Sequence, residues 1–344
     1  MLINLSKYRS QLYGFSALFI VFFHSQVMFT IKGFHIIKQF GSLGVDVFLL
    51  LSGMSLYFSF SKDSNLKHFF QKRISTIIIP LGIVNLIYYQ LVPNGSGFIM
   101  YLKNVIGLFH SEKLTLNSWF SLTIIILYLL YPLIHKFLES SSEIKRLVKF
   151  GIIFSLWWLF QLTKFYFVTP EFASHTNLAF ARFPIFLIGC YLGPYILNRT
   201  PFFGLKINKH ASIGITLLLF ISSCSLLIPY IQVDNKYQLI PTFISISVVM
   251  TGTLLLSWLL NLMSKAKSSH LIMLVSKSLT LFGGLSFEIY LLFEKNQTLF
   301  ESVAPVDPHN LAKTCFLFTL TLIEAILLKK VVTYIKQNYD LTKP

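Results

Sequence analysis

The chain has 344 residues, 54% of them hydrophobic and 16% aromatic against 12% charged, with a mean hydropathy of +0.67. This composition excludes an ordinary soluble domain and a disordered chain and points to an all-α polytopic membrane protein. The formal net charge of +16 would suit nucleic acid, but the cations gather at the ends of apolar runs, which makes the excess a topology signal and excludes a nucleic-acid partner.

A window of about 19 residues predicts about ten membrane-spanning helices. The first, Gln11–Thr30, carries His24 late in its run and has no small-residue cleavage site, so it is expected to stay as a span and not to be removed as a signal peptide. The second, Phe40–Phe60, carries Asp46. Ile74–Val92 follows the cations Lys72 and Arg73, and Trp119–Phe137 opens on Asn117 and Trp119. Leu147–Val168, Leu178–Leu197 with Arg182 inside it, Ala211–Ile231 and Leu239–Met263 come next. Leu279–Phe300 is interrupted by Glu288 and Glu294, and Leu311–Ile335 closes the series.

Placing the N-terminus inside assigns about 20 of the 29 Lys and Arg residues to cytoplasmic segments, among them Lys7, Arg9, Lys62, Lys67, Lys72, Arg73, Lys145 and Arg146. Ten spans then put both termini in the cytoplasm. The longest loops, Pro93–Ser118 and Lys136–Arg146, are too short to hold a core, so residues 1–344 read as a single membrane-embedded domain in the plasma or inner membrane. Cys190, Cys224 and Cys315 are isolated, with no Cys/His spacing that suggests a metal, and there is no Gly-rich phosphate loop.

Ionisable residues inside the bilayer are expensive and are functional candidates by default. At about 1.5 Å of rise per residue, His24 lies about six residues before the outer end of its span and Asp46 about six residues after the outer start of the next, so their depths match. Arg182 falls in the first turns of its span, Glu288 near mid-membrane and Glu294 near the outer end. Pairing of Arg182 with Glu288 or Asp46 could serve only to hold helices together. Alternatively, a neutral imidazole beside a buried carboxylate can take a proton from a hydroxyl while the carboxylate steadies the cation.

These segments resemble the integral-membrane acyltransferases of acyltransferase family 3, which include O-acetyltransferases of bacterial cell-surface polysaccharides. RSQLYGFSALFIVFFHS resembles the family's first helix, with Arg9 and the signature His24. GSLGVDVFLLLSGMSLYFSF resembles its GVDxFFxxSG signature, FFQKRISTIIIP the basic start of the third helix, RFPIFLIGCYLG an Arg-x-Pro-x-Phe-x-x-Gly segment, and SFEIYLLFEKN a late helix. The chain departs from the pattern twice. Ser75 and Thr76 stand where a second arginine is common, and Phe293 stands where the late helix often has a histidine.

The resemblance implies a membrane O-acyltransferase that takes an acyl group, acetyl above all, from cytoplasmic acetyl-CoA and delivers it to hydroxyls of a cell-surface glycan. It implies His24 as base or transient acyl carrier, Asp46 orienting it and Arg182 facing an oxyanion; the absent histidine is either done without, replaced by Glu294, or matched by lower activity. Arg9, Lys72 and Arg73 would meet the phosphates of the CoA. Asn117, Trp119 and Glu288 are the acceptor-side candidates, with an interfacial anchor as the other reading of Trp119 and Asn117. The expected partners are the lipid bilayer, acyl-CoA and a glycan acceptor, with no metal. Two other readings fit the same charges: a proton-coupled transporter in which His24, Asp46, Glu288 and Arg182 form a pathway, and a catalytically degenerate relative.

Overall fold

The computed structural model describes residues 1–25, 32–91, 118–140, 142–167, 179–200, 208–231, 239–265, 270–303 and 311–338. Among these residues there are thirteen α-helices, one 3₁₀ turn and no strand. In hydrocarbon every backbone N–H and C=O must be satisfied within the chain, and helices do so locally. A short α1 (Leu2–Lys7) turns at Tyr8 into α2 (Arg9–His24), and α3 (Lys32–Phe40) runs through the 3₁₀ turn Gly41–Leu43 into α4 (Gly44–Phe60). There follow α5 (Leu66–Leu91), α6 (Ser118–Leu138), α7 (Glu143–Phe167), α8 (Phe183–Leu197), α9 (Lys209–Ile231) and α10 (Leu239–Lys265). The chain ends in α11 (His270–Gly284), α12 (Ser286–Val303) and α13 (Leu311–Asn338).

Each of the ten expected segments contains a helix. Among the described residues, six helical segments are long and apolar enough to cross a membrane: Gly33–Phe60, Leu66–Tyr88, Trp119–Leu138, Ala179–Leu197, His210–Tyr230 and Ile240–Lys265. The ninth expected segment is not one rod. It is the end of α11 and the whole apolar part of α12, bent by 77° directly after the adjacent glycines Gly283 and Gly284, a pair that weakens a helix at that point. The described part of α2 is 16 residues, while α7 and α13 carry Lys145, Arg146 and Lys149 and Lys329, Lys330 and Lys336 respectively, which lower their hydropathy.

The outer faces are apolar, as a lipid-facing surface requires: α9 alone exposes Ile215, Leu217, Leu218 and Leu219. Inside, α4 is the central helix, with Leu49, Leu50, Leu51 and Met54 buried against Phe120, Tyr131 and Phe186. Its packing on α8 depends on two glycines. A Cβ on Gly53 would lie 2.3 Å from the Phe186 carbonyl oxygen, and one on Gly189 would lie 2.2 Å from that of Leu50. The crossing of α2 with α11 is built the same way, since a Cβ on Gly14 would lie 2.0 Å from the Leu279 carbonyl oxygen and one on Gly283 would lie 1.9 Å from that of Ser10. Small residues let backbones meet where lipid supplies no hydrophobic drive between helices. A third close approach joins α2 to the start of α4, where Ser16 Oγ donates to the Gly44 carbonyl at 2.5 Å.

The two glycine crossings make a direct prediction. Gly189→Ala and Gly283→Ala each lower the thermal unfolding midpoint of the detergent-solubilised protein, at a cost of about 1–3 kcal/mol from overpacking. Gly151→Ala, whose added methyl would meet nothing within 4 Å, does not lower it. Intrinsic fluorescence on heating reads the difference, and equal midpoints for all three would contradict the packing described.

Candidate active site

His24 closes the last turn of α2. Its Nδ1 lies 3.3 Å from Oε1 of Glu294, and its side chain keeps 31% exposure, against 15% for Glu294, so the ring is held on one side and reachable on the other. Glu294 arrives there because α12 packs by its apolar stripe. Ile289 and Phe293, four residues apart on one face, join Leu285 in a buried cluster with Val21 of α2 and Leu317 and Ala325 of α13. The next residue along, Glu294, then faces the end of α2. Phe293, in the position where the family pattern often has histidine, is 3% exposed and belongs to this apolar cluster.

A buried ion pair lies nearby. Asp46 sits in the first turn of α4, where the helix dipole favours a carboxylate, and its Oδ1 is 3.6 Å from Nε of Arg182. Arg182 caps α8 ahead of Pro184. The stretch before it is pinned by Trp157, whose Nε1 donates to the Phe180 carbonyl at 2.7 Å. The guanidinium also lies 5.1 Å from the centre of the Trp119 ring, a cation–π contact. Arg182 is thus held between a carboxylate and an indole from two other helices.

Tyr290 ties the two pairs together. It lies one turn before Glu294 on α12, is 7% exposed, packs at 4.8 Å between ring centres against Phe120, and is within electrostatic reach of both Glu294 and Arg182. The site therefore draws on α2, α4, α6, α8 and α12.

Several sequence expectations change in detail. Asp46 does not orient His24: the described residues pair His24 with Glu294 and Asp46 with Arg182, because matched depth along two helices does not fix which way each side chain faces. Of the two carboxylates open to Arg182, it takes Asp46. Glu288 is engaged by Lys329, whose Nζ donates to Oε1 at 2.9 Å, and its side chain is 3% exposed. It is a counter-ion between α12 and α13, unsuited to meeting an acceptor. Trp119 offers its ring to Arg182, and Asn117 lies outside the described residues. Arg9 lies 6.0 Å from the ring centre of Phe58. Lys72 is exposed on α5, and Arg73 is within electrostatic reach of the buried Tyr128 and Tyr131.

Two residues escaped the reading of the sequence. Tyr290 could have been found from its four-residue spacing to Glu294, which puts both on one helix face. Lys295 is 7% exposed, donates to Asn85 Oδ1 on α5, and lies 5.2 Å from the ring centre of Tyr88. Its adjacency to Glu294 marked it as a lipid-buried cation in need of a partner.

The family model for acyltransferase family 3, described as an acyltransferase domain, matches residues 12–330. No curated protein and no solved structure matches the chain.

The buried Asp46–Arg182 pair is expected to behave as such pairs do when one partner is removed. Asp46→Asn leaves a guanidinium without its counter-charge and lowers stability by about 3–5 kcal/mol. Adding Arg182→Met in the same chain recovers part of that loss. Unfolding midpoints of the single and double variants measure both effects, and a double variant no more stable than Asp46→Asn would show that the two groups do not depend on one another.

Proposed function

The chain belongs to the membrane acyltransferase family whose domain model spans residues 12–330, and from that premise we propose that it is an O-acyltransferase. In this reading it moves an acyl group, acetyl in the first instance, from cytoplasmic acyl-CoA to a hydroxyl of a cell-surface polysaccharide or its lipid-linked precursor. The protein sits in the plasma or inner membrane with ten crossings and both termini in the cytoplasm. The single observation that carries the reading is the His24–Glu294 pair, an imidazole fixed through Nδ1 and open on its other side, within a membrane domain of an acyltransferase family.

The chemistry follows from that geometry. With its proton on Nδ1, which faces Glu294 at 3.3 Å, the ring carries a lone pair on Nε2 that can accept the proton of an acceptor hydroxyl. The freed oxygen attacks the thioester carbonyl, and its new C–O bond forms as the carbonyl electrons move onto oxygen. Arg182, held in place by Asp46 and Trp119, is the cation offered to that oxyanion. Collapse of the intermediate breaks the C–S bond, and the imidazolium returns its proton to the departing CoA sulfur. Glu294 stabilises the imidazolium throughout, as a buried carboxylate does for a catalytic histidine. This assigns His24 the part of a base, and Asp46 the part of positioning Arg182.

The acceptor side is reached from the bilayer. An acceptor presented as a lipid-linked chain would bring its hydroxyls to the outer end of α2, where His24 is half-buried.

In a host strain lacking this protein, acetyl signals in the proton NMR spectrum of the surface glycan are expected to vanish and to return with the wild-type chain. His24→Ala restores none of them at matched membrane expression. Glu294→Gln slows their appearance by about 10²–10⁴-fold, the usual weight of positioned acid–base catalysis. Full restoration by His24→Ala would remove the proposed chemistry.

A further inference from the structure

Between α2, α3, α4, α9 and α10 lies an apolar cavity of about 350 Å³ that the chemistry at His24 does not use. Phe15 and Phe19 of α2, Phe40 at the end of α3 and Phe220 of α9 line it with rings, and Cys224 and Gly252 lie among them. Gly252 keeps it open, since a Cβ there would lie 2.9 Å from Cε2 of Phe220. The lining runs from Phe220 to Ile228 on α9 and from Val248 to Leu256 on α10, eight residues on each helix, so the groove is about 12 Å long and follows the helix axes. An apolar cavity offers water no partners, and inside a bilayer hydrocarbon is what fills it.

One end of the groove adjoins the imidazole. Phe19 stacks on Phe15 with ring centres 5.3 Å apart. Phe23 follows one turn later, and its ring centre lies 5.0 Å from that of His24. The 3₁₀ turn after α3 rests on the same stretch of α2, where a Cβ on Gly41 would lie 2.5 Å from the Phe19 carbonyl oxygen. Along α3, Phe34, Ile37 and Phe40 fall on one face at three-residue spacing and His35, Lys38 and Gln39 on the other, the pattern of a helix that lies in a membrane surface. Ile37 and Phe40 belong to the groove. Lys38, the residue after Ile37, is half-buried and within electrostatic reach of His24. A cation thus stands where the groove and the base meet.

We propose that this groove takes the hydrocarbon tail of an acceptor carried on a polyprenyl phosphate, with the phosphate at Lys38 and the sugar hydroxyls at His24. The proposal rests on the acyltransferase reading and gives its acceptor a seat. Three features choose this occupant. The groove has the volume and length for one chain, and a diacyl phospholipid would leave a tail outside it. Lys38 offers a charge-assisted bond to a phosphate. A lipid seated here delivers its head group to His24, where a bulk phospholipid has no sugar to offer.

The test uses the full chain in phosphatidylcholine nanodiscs, titrated with decaprenyl phosphate, with decaprenol, which has no phosphate, and with phosphatidylglycerol, and read by native mass spectrometry. The wild-type chain is expected to take up one decaprenyl phosphate in preference to either of the others. Lys38→Gln weakens that binding about tenfold, the worth of one hydrogen bond to a charged group, and leaves decaprenol unaffected. Cys224→Phe, which fills the groove from a half-buried position, weakens both polyprenyl ligands alike. Should Cys224→Phe fail to fold, Lys38→Gln decides alone. Equal uptake of decaprenyl phosphate by wild type and Lys38→Gln, or phosphatidylglycerol bound as tightly as decaprenyl phosphate, would overturn the site while leaving the acyltransferase reading intact. Decaprenyl phosphate bound as expected, with no release of CoA thiol from acetyl-CoA when a decaprenyl-phosphate-linked sugar is supplied, would remove the acyltransferase reading and the acceptor role of the groove with it.

Discussion

An ionisable side chain within a bilayer has no water to stabilise it, so it must meet a partner inside the protein. That constraint organises this molecule. Glu294 meets His24 between α12 and α2, Arg182 meets Asp46 and Trp119 between α8, α4 and α6, Glu288 meets Lys329 between α12 and α13, and Lys295 meets Asn85 between α12 and α5. All but the Glu288–Lys329 pair join helices remote in sequence. Three of the four run through α12, which makes that helix the electrostatic hub of the fold. A helix so loaded could not sit against lipid, and its short apolar stripe is spent on α2 and α13.

Charges of this kind can meet only if backbones come close, and the glycine crossings permit that. Gly14 and Gly283 let α11 lie on α2, Gly53 and Gly189 let α8 lie on α4, and Gly44 lets the head of α4 rest on α2. The bend after Gly284 then turns α12 so that Glu294 faces the end of α2. The strained economy of the site follows: one carboxylate holds the imidazole, another holds the guanidinium, and Tyr290 lies within reach of both pairs. An imidazole and a fixed cation, each held by a carboxylate in a place with little water, are groups that could serve acyl transfer to a hydroxyl.

The membrane class and the helical segments were legible in the sequence, because a long apolar run has few other uses, and the ionisable residues inside such runs stood out as candidates because they are rare there. The choice of partners was not. His24, Asp46 and Glu294 lie at similar depths, and depth along a helix says nothing of azimuth, so Asp46 was the natural partner of His24 on sequence and Glu294 is the partner in space. The break at Leu285 was written in Gly283 and Gly284, yet mean hydropathy averages over two glycines and reads the segment as one rod. Lys329 and Lys336 drew no notice in the sequence, because charge counting assigns a cation to a helix end without naming its partner. Their contacts with Glu288 and Thr76 arise from the antiparallel packing of α13, which no local pattern encodes.

In the proposed reaction, His24 beside Glu294 moves the proton in a thioester-dependent transfer. The direct measurement is transfer of radiolabelled acetyl from acetyl-CoA to acceptor by the purified chain in proteoliposomes of defined orientation, with release of free CoA thiol followed in parallel. The account predicts ester formation and thiol release in equal amounts, only with donor on the cytoplasmic face, and loss of both in His24→Asn. Transfer that proceeds unchanged in His24→Asn, or thiol release that never accompanies ester formation, would contradict it.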